Sequence, residues 1–159
     1  MSEILPDSPA RLTFRENLQV RIALTGARLI HKVSPGKLRQ WLGKAAIGSS
    51  PASYVEAKLA RDQILTVSAY CRGGDACLLR SIAVALVCRQ RGIWPTWAVG
   101  VLAVPPFAAH AWVEAEGHIV DEPMDEADYK AFFKVSPQSR LTDRLTDRQT
   151  ISRKEVQPR

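Results

Sequence analysis

Cysteine and histidine are scarce in this chain of 159 residues, with three of each. Cys71, Cys77 and Cys88 sit at irregular intervals, which does not suggest a disulfide framework. A reducing cytoplasm is the expected home, because a free thiol stays usable there. The spacing of Cys71 and Cys77 is not a usual zinc spacing, so a metal site built on them with His110 is not expected. No apolar run approaches the roughly 20 residues of a membrane span. Met1 to Ala10 is acidic and contains proline, without the apolar core after a basic start that marks a signal peptide. A glycine-rich phosphate loop is also missing, and no nucleotide or other cofactor is expected.

What is present suits one globular domain with a sizeable core. The net charge of +6 is unevenly spread. Residues 1–72 carry 11 basic and 5 acidic side chains, residues 73–135 carry 5 and 8, and residues 136–159 carry 6 and 3. The basic excess therefore lies outside the middle of the chain. Nucleic-acid binding, docking of an acidic peptide or partner protein, and plain solvation of helix faces are its three readings. The solvated face is the default for any single charge, and no nucleic-acid partner is assigned.

Hydrophobic period divides the chain into a helical first half and a mixed second half. A helix is expected from Phe14 to about Val33, with Leu18, Ile22, Leu29 and Val33 inward. Ser34-Pro35 stops it and starts a short helix with Leu38, Trp41 and Leu42 as its apolar face. Gly48-Ser49-Ser50-Pro51 breaks again, and a longer helix follows from about Ala52 to Tyr70, with Val55, Leu59, Ile64 and Val67 inward. After Gly73-Gly74 a helix begins near Cys77 and ends at Gly92. Its interior is apolar almost all round, which predicts the central buried helix. Thr96–Val104, Ala109–Ala115 and His118–Asp121 read as strands, the last two joined by a two-residue turn at Glu116-Gly117. Asp125–Lys134 reads as a last helix. Three segments result: an N-terminal helical segment over 1–51, a core over 52–135, and a charged, mobile tail over 136–159.

The stretch from Asp75 to Ala83 organises the chemistry. Cys77 falls in the first turn of its helix, where unpaired N–H groups and the positive end of the dipole favour thiolate. The structural alternative, a small buried hydrophobe, is as common, and Cys88 fits it better. If Glu116-Gly117 forms the turn, Ala115 faces His118 and Trp112 faces Asp121. His110, Trp112 and Asp121 then share one sheet face, with His110 and Asp121 diagonal neighbours. Cys77, His110 and Asp121 would make nucleophile, base and orienting carboxylate. The Cys77 backbone N–H is the natural oxyanion donor. Glu114 is a rival orienter or a surface acid. Arg80 suits packing or an ion pair with an acid, and Trp112 packing beside the imidazole. His31 and His118 read as surface residues.

The ordered set Gly-Gly-Asp-Ala-Cys77-Leu-Leu-Arg80-Ser81, Arg91-Gly92, Gly100-Val101, His110-Ala-Trp112-Val-Glu114 and Gly117-His-Ile-Val-Asp121 resembles the B protein of lasso-peptide biosynthesis. That family is a transglutaminase-like cysteine peptidase, and the likeness covers about residues 55–133. The resemblance implies an α+β, transglutaminase-like and papain-like fold: a helical N-terminal half, with the central cysteine helix packed on a small antiparallel sheet. It implies a Cys77-His110-Asp121 triad that removes the leader from a ribosomally made precursor peptide, upstream of a macrolactam synthetase. The first fifty or so residues read as helices rather than the winged-helix leader-recognition domain of some members. The expected form is thus the split one, acting with a separate leader-recognition protein. A transglutaminase-like acyl transfer and a non-catalytic basic binding module are the alternatives.

Overall fold

The computed structural model describes residues 9–103, 105, 107–123 and 126–138. Its elements are mixed α+β, as the sequence predicts. Four helices come first: α1 (Phe14–Ile30), α2 (Pro35–Ala46), α3 (Tyr54–Val67) and α4 (Cys77–Gln90). Thr13 and Ser53 cap α1 and α3 through reciprocal boxes with Glu16 and Glu56, which satisfies N–H groups the helices leave unpaired. Pro35 opens α2 in the first turn, where its missing N–H costs nothing. The described residues contain no helix long and apolar enough to cross a membrane.

Two short strands, β1 (Ser50–Pro51) and β2 (Ile93–Trp94), pair in parallel. The main sheet is antiparallel, in the order β5 (His118–Ile119), β4 (Ala108–Ala115), β3 (Thr96–Leu102) and β6 (Tyr129–Val135). Helix α4 lies at the centre, with α1 and α3 on one side and β4 on another. Leu79 to Ala85, Val87 and Cys88 leave little of it exposed, and Gly92 ends it with φ +78. One continuous core joins Val20, Leu38 and Ile64 from the first helices to Ile82, Trp97 and Val135. Three fully buried tryptophans each find a partner for the indole N–H: Trp94 donates to the Val135 carbonyl at 3.1 Å, Trp97 to Ser81 Oγ at 3.0 Å and Trp112 to Glu114 Oε1 at 2.9 Å.

Several expectations change, and Trp41, expected on the apolar face of α2, is exposed. The buried face of α1 is Val20, Ala23, Leu24 and Ala27, not the stripe through Leu18, Ile22 and Leu29, which stays exposed. Small residues let α1 approach α4 closely, and close approach outweighs side-chain size. Val55 and Leu59 of α3 are likewise exposed, while Ala57, Ala60 and Leu65 join Ile64 inside. The expected last helix is a strand. Tyr129–Val135 pairs with β3, with a bulge between Val99 and Gly100. Gly100 makes that approach possible: a Cβ there would lie 1.9 Å from the Lys130 carbonyl oxygen. Residues 136–138 run on from β6, and the Gln138 carbonyl accepts from Gly48 N–H at 2.8 Å. The expected mobile tail from residue 139 onward lies outside the described residues.

Candidate active site

The site forms where the start of α4 meets the edge of the sheet. Cys77 is the first residue of α4, after a short 3-10 turn over Gly74–Ala76. His110 lies on β4, opposite Gly100 of β3. The fold brings the two into a side-chain hydrogen bond. Strand β5 covers only Glu114 and Ala115 of β4, so the β4 edge at Ala111 is open to the thiol. The Ala111 backbone N–H donates to it. Nothing in the sequence pattern pointed to that donor, because it is a property of where a neighbouring strand stops.

Hairpin register holds through Val120 and ends before the pair that mattered, Trp112 with Asp121. Glu116 and Gly117 take φ 54 and 87, as a two-residue hairpin turn needs. Ala115 pairs with His118, Glu114 with Ile119, and Val120 N–H still reaches the Val113 carbonyl at 3.0 Å. Asp121 then adopts φ 52, and its N–H folds back onto the Ile119 carbonyl at 3.1 Å. Strand pairing stops there, and the expected Trp112–Asp121 pair does not form. Asp121 instead points to α3, where Lys58 Nζ and Arg61 Nη1 lie 2.9 and 2.8 Å from its Oδ2. It is not the carboxylate beside His110.

Glu122 takes that place. Its Oε2 lies 3.0 Å from His110 Nε2, which leaves Nδ1 for the thiol. The Glu122 side chain is only 5% exposed and also meets Arg80 Nη2 at 3.5 Å. Arg80, one turn after Cys77 on α4, is itself buried; its Nη1 donates to the Cys71 carbonyl at 2.9 Å and the Gly73 carbonyl at 3.3 Å. One guanidinium thus fixes the segment before Cys77 and the carboxylate behind His110. The signal for Glu122 was Arg80 itself, a buried cation that needs an acid within reach. Parity along a strand could not find it, because the strand ends first.

Electrostatics favour an ion pair. Burial works against the Cys77 thiolate, but the hydrogen bond and charge of His110, the Ala111 N–H and the more distant Arg80 outweigh it, and the thiol is held below its ordinary range. Burial likewise works against protonated His110, yet its bonds to Cys77 and Glu122, and their charges, push it up to about 9. The other thiols behave oppositely. Burial raises Cys71, and it drives Cys88 up to about 12, as expected of core cysteines.

Aromatic rings fix the imidazole. Trp112 stacks on His110 at 6.1 Å between centroids, and Tyr129 packs at 5.5 Å from His110 and 5.2 Å from Trp112. Glu114 is the rival carboxylate, but Trp112 Nε1 and Lys134 Nζ hold its two oxygens at 2.9 and 2.7 Å. His118 is exposed beside Glu126, and the His31 ring bonds the Arg28 carbonyl at the end of α1.

No curated protein and no solved structure matches the chain. A family model does, over residues 20–135, from within α1 to the end of β6. That span holds the thiol at a helix start, the histidine on the adjoining strand and the carboxylate behind it, and by this match the chain belongs to the transglutaminase-like superfamily.

Proposed function

We propose that this protein is a cysteine peptidase that removes the leader from a ribosomally synthesised lasso-peptide precursor. It acts with a separate leader-recognition protein, and the freed core peptide passes to a macrolactam synthetase. The observation that carries the enzymatic part is the linked set Cys77, His110, Glu122 and Arg80 at the junction of α4 and the sheet. The ordered motifs around Cys77 and His110 support the substrate class.

In this reading the Cys77 thiolate attacks the carbonyl carbon of the scissile amide. Charge develops on the carbonyl oxygen, which the Cys77 backbone N–H at the helix start receives. The imidazolium of His110 gives its proton to the departing nitrogen, the C–N bond breaks, and an acyl-thioester remains. His110, now neutral, takes a proton from water. The resulting attack expels the thiolate beside protonated His110 and releases the leader acid, which gives its proton to solvent as the carboxylate. Glu122 holds the imidazole in orientation and supports its charge, the role first assigned to Asp121. Arg80 holds Glu122 in place, acting through it as a positioning residue.

The test uses the full chain, a precursor peptide and the separate leader-recognition protein. Mass spectrometry should find a leader with a free carboxylate and a core with a free amine, and Cys77→Ala should abolish both. An amide-linked product formed with an added amine would instead make the protein an acyl transferase on the same thioester. Processing that survives Cys77→Ala overturns the reading.

A further inference from the structure

Helix α1 has two apolar faces. One, through Val20, Ala23, Leu24 and Ala27, is buried. The other lies opposite it on the helical period and runs through Phe14, Leu18, Ile22 and Leu29, which are 87%, 49%, 56% and 75% exposed. Arg15, Arg21 and Arg28 border this second stripe and are exposed as well. A line of large apolar side chains over four turns of a surface helix is a mark of an interaction site. Beside it, a groove of about 310 Å³ runs between α1 and the 3-10 turn Ala69–Arg72, walled by Arg21, Arg28, Ser68 and Tyr70.

We infer that this face of α1 docks a helical segment of a separate protein, apolar along one stripe and rich in carboxylates along its margins. Charge selects that occupant. A second copy of α1 laid over the stripe would bring Arg15, Arg21 and Arg28 against arginines of the same kind, which disfavours self-association. Nucleic acid would suit the arginines but gain nothing from Phe14, Leu18, Ile22 and Leu29. A helix with acidic margins satisfies both. The inference rests on the proposed function for the partner's identity, which is then the leader-recognition protein. The groove also has a place in the site's mechanics. Its Tyr70 wall leads directly to Cys71 and Gly73, the two carbonyls that Arg80 holds. A partner seated there lies against the segment that delivers Cys77.

Binding is read by titration calorimetry with the full chain and two probes. One is the leader-recognition protein; the other is a synthetic helix with leucines at heptad a and d positions and glutamates at e and g. Both should bind. Leu18→Glu with Ile22→Glu should weaken each by about tenfold or more. Arg21→Glu with Arg28→Glu should do the same and flatten the salt dependence. All four positions are exposed or border solvent, so the melting temperature and the rate of Cys77 alkylation by iodoacetamide should not move. Unchanged affinity in both double variants overturns the inference. So does a concentration-dependent dimer that Leu18→Glu with Ile22→Glu dissolves, or binding that arises only after residues 1–8 or 139–159 are removed. The two readings fail separately. Full-rate, partner-assisted cleavage by Leu18→Glu with Ile22→Glu sinks the docking face alone. A precursor left intact while the partner binds through α1 sinks the peptidase alone.

Discussion

At the scale of single residues, Glu122 and Asp121 are neighbours with different surroundings. Glu122 is nearly enclosed, between His110 and Arg80, while Asp121 is more open, between Lys58 and Arg61. Substituting each in turn separates orientation of the base from attachment of α3. Glu122→Gln keeps the shape and removes the charge that helps hold His110 at about 9. Cleavage should fall by about 10²- to 10⁴-fold. In the proposed cycle the active form is thiolate with imidazolium, so the rate should rise with pH through the lowered Cys77 value and decline through about 9. In Glu122→Gln the alkaline limb should move to lower pH, and in Asp121→Asn it should stay. A pH–rate profile of the two variants decides; an alkaline limb that moves in Asp121→Asn and not in Glu122→Gln reverses the assignment. The same shift bears on stability. The bonds and charges of Cys77 and Glu122 push His110 from its ordinary value of 6.5 up to about 9 in the folded chain. Its charge therefore stabilises the fold fully below about 6.5, and that contribution disappears as pH rises through 9. The sequence reading placed Asp121 beside His110, and the structure does not, for one reason: a non-glycine residue with φ 52 ended the strand, and alternation has no way to register such a residue.

At the scale of elements, the sequence placed α1 to α4 and the β4–β5 hairpin close to their positions, and it misjudged which faces of α1 and α3 turn inward. The cause is visible in α1. Its period carries a large apolar stripe and a small one, and periodicity alone ranks the large one first. The site at Cys77 and His110 was legible because it depends on a helix start and a strand, both strongly marked. Strand β6 was not legible, since Tyr129, Phe132 and Phe133 can line a helix as readily as a strand. Its pairing depends on a gap in β3 at Gly100, a tertiary fact. Gly100→Ala would place a methyl group into the Lys130 carbonyl, and backbone rather than a flexible side chain would have to move. A loss of about 3 kcal/mol or more is expected, seen as a lower denaturant midpoint. Because Gly100 also faces His110 across the β3–β4 pair, activity of the folded fraction should fall too. A variant with wild-type midpoint and rate would show that β6 does not pack this closely.

At the scale of the whole molecule, Arg80 is one residue through which the helical half and the sheet depend on each other. It is 2% exposed, and it touches the loop before α4 and the loop after β5. Arg80→Met should destabilise by about 3–5 kcal/mol, because it removes one partner of a buried ion pair and leaves Glu122 without its guanidinium. Adding Glu122→Leu removes the orphaned charge, so the double variant should recover much of that stability without recovering cleavage. Chemical denaturation read together with turnover tests this. Recovery of both would mean that the pair serves the fold only.

Cys77 and Arg80 ride on one rigid helix, and their partners His110 and Glu122 belong to the sheet side. The junction is thus riveted twice, once by thiolate on imidazolium and once by guanidinium on carboxylate. In the proposed cycle the first rivet is undone by the chemistry itself, because an acyl-thioester carries no charge and the imidazole has given up its proton. Midway through turnover the Arg80 rivet is the one of the two that remains. The joint is then at its slackest when the amine fragment has to leave and a water molecule has to enter, and it tightens again once the thiolate is reborn.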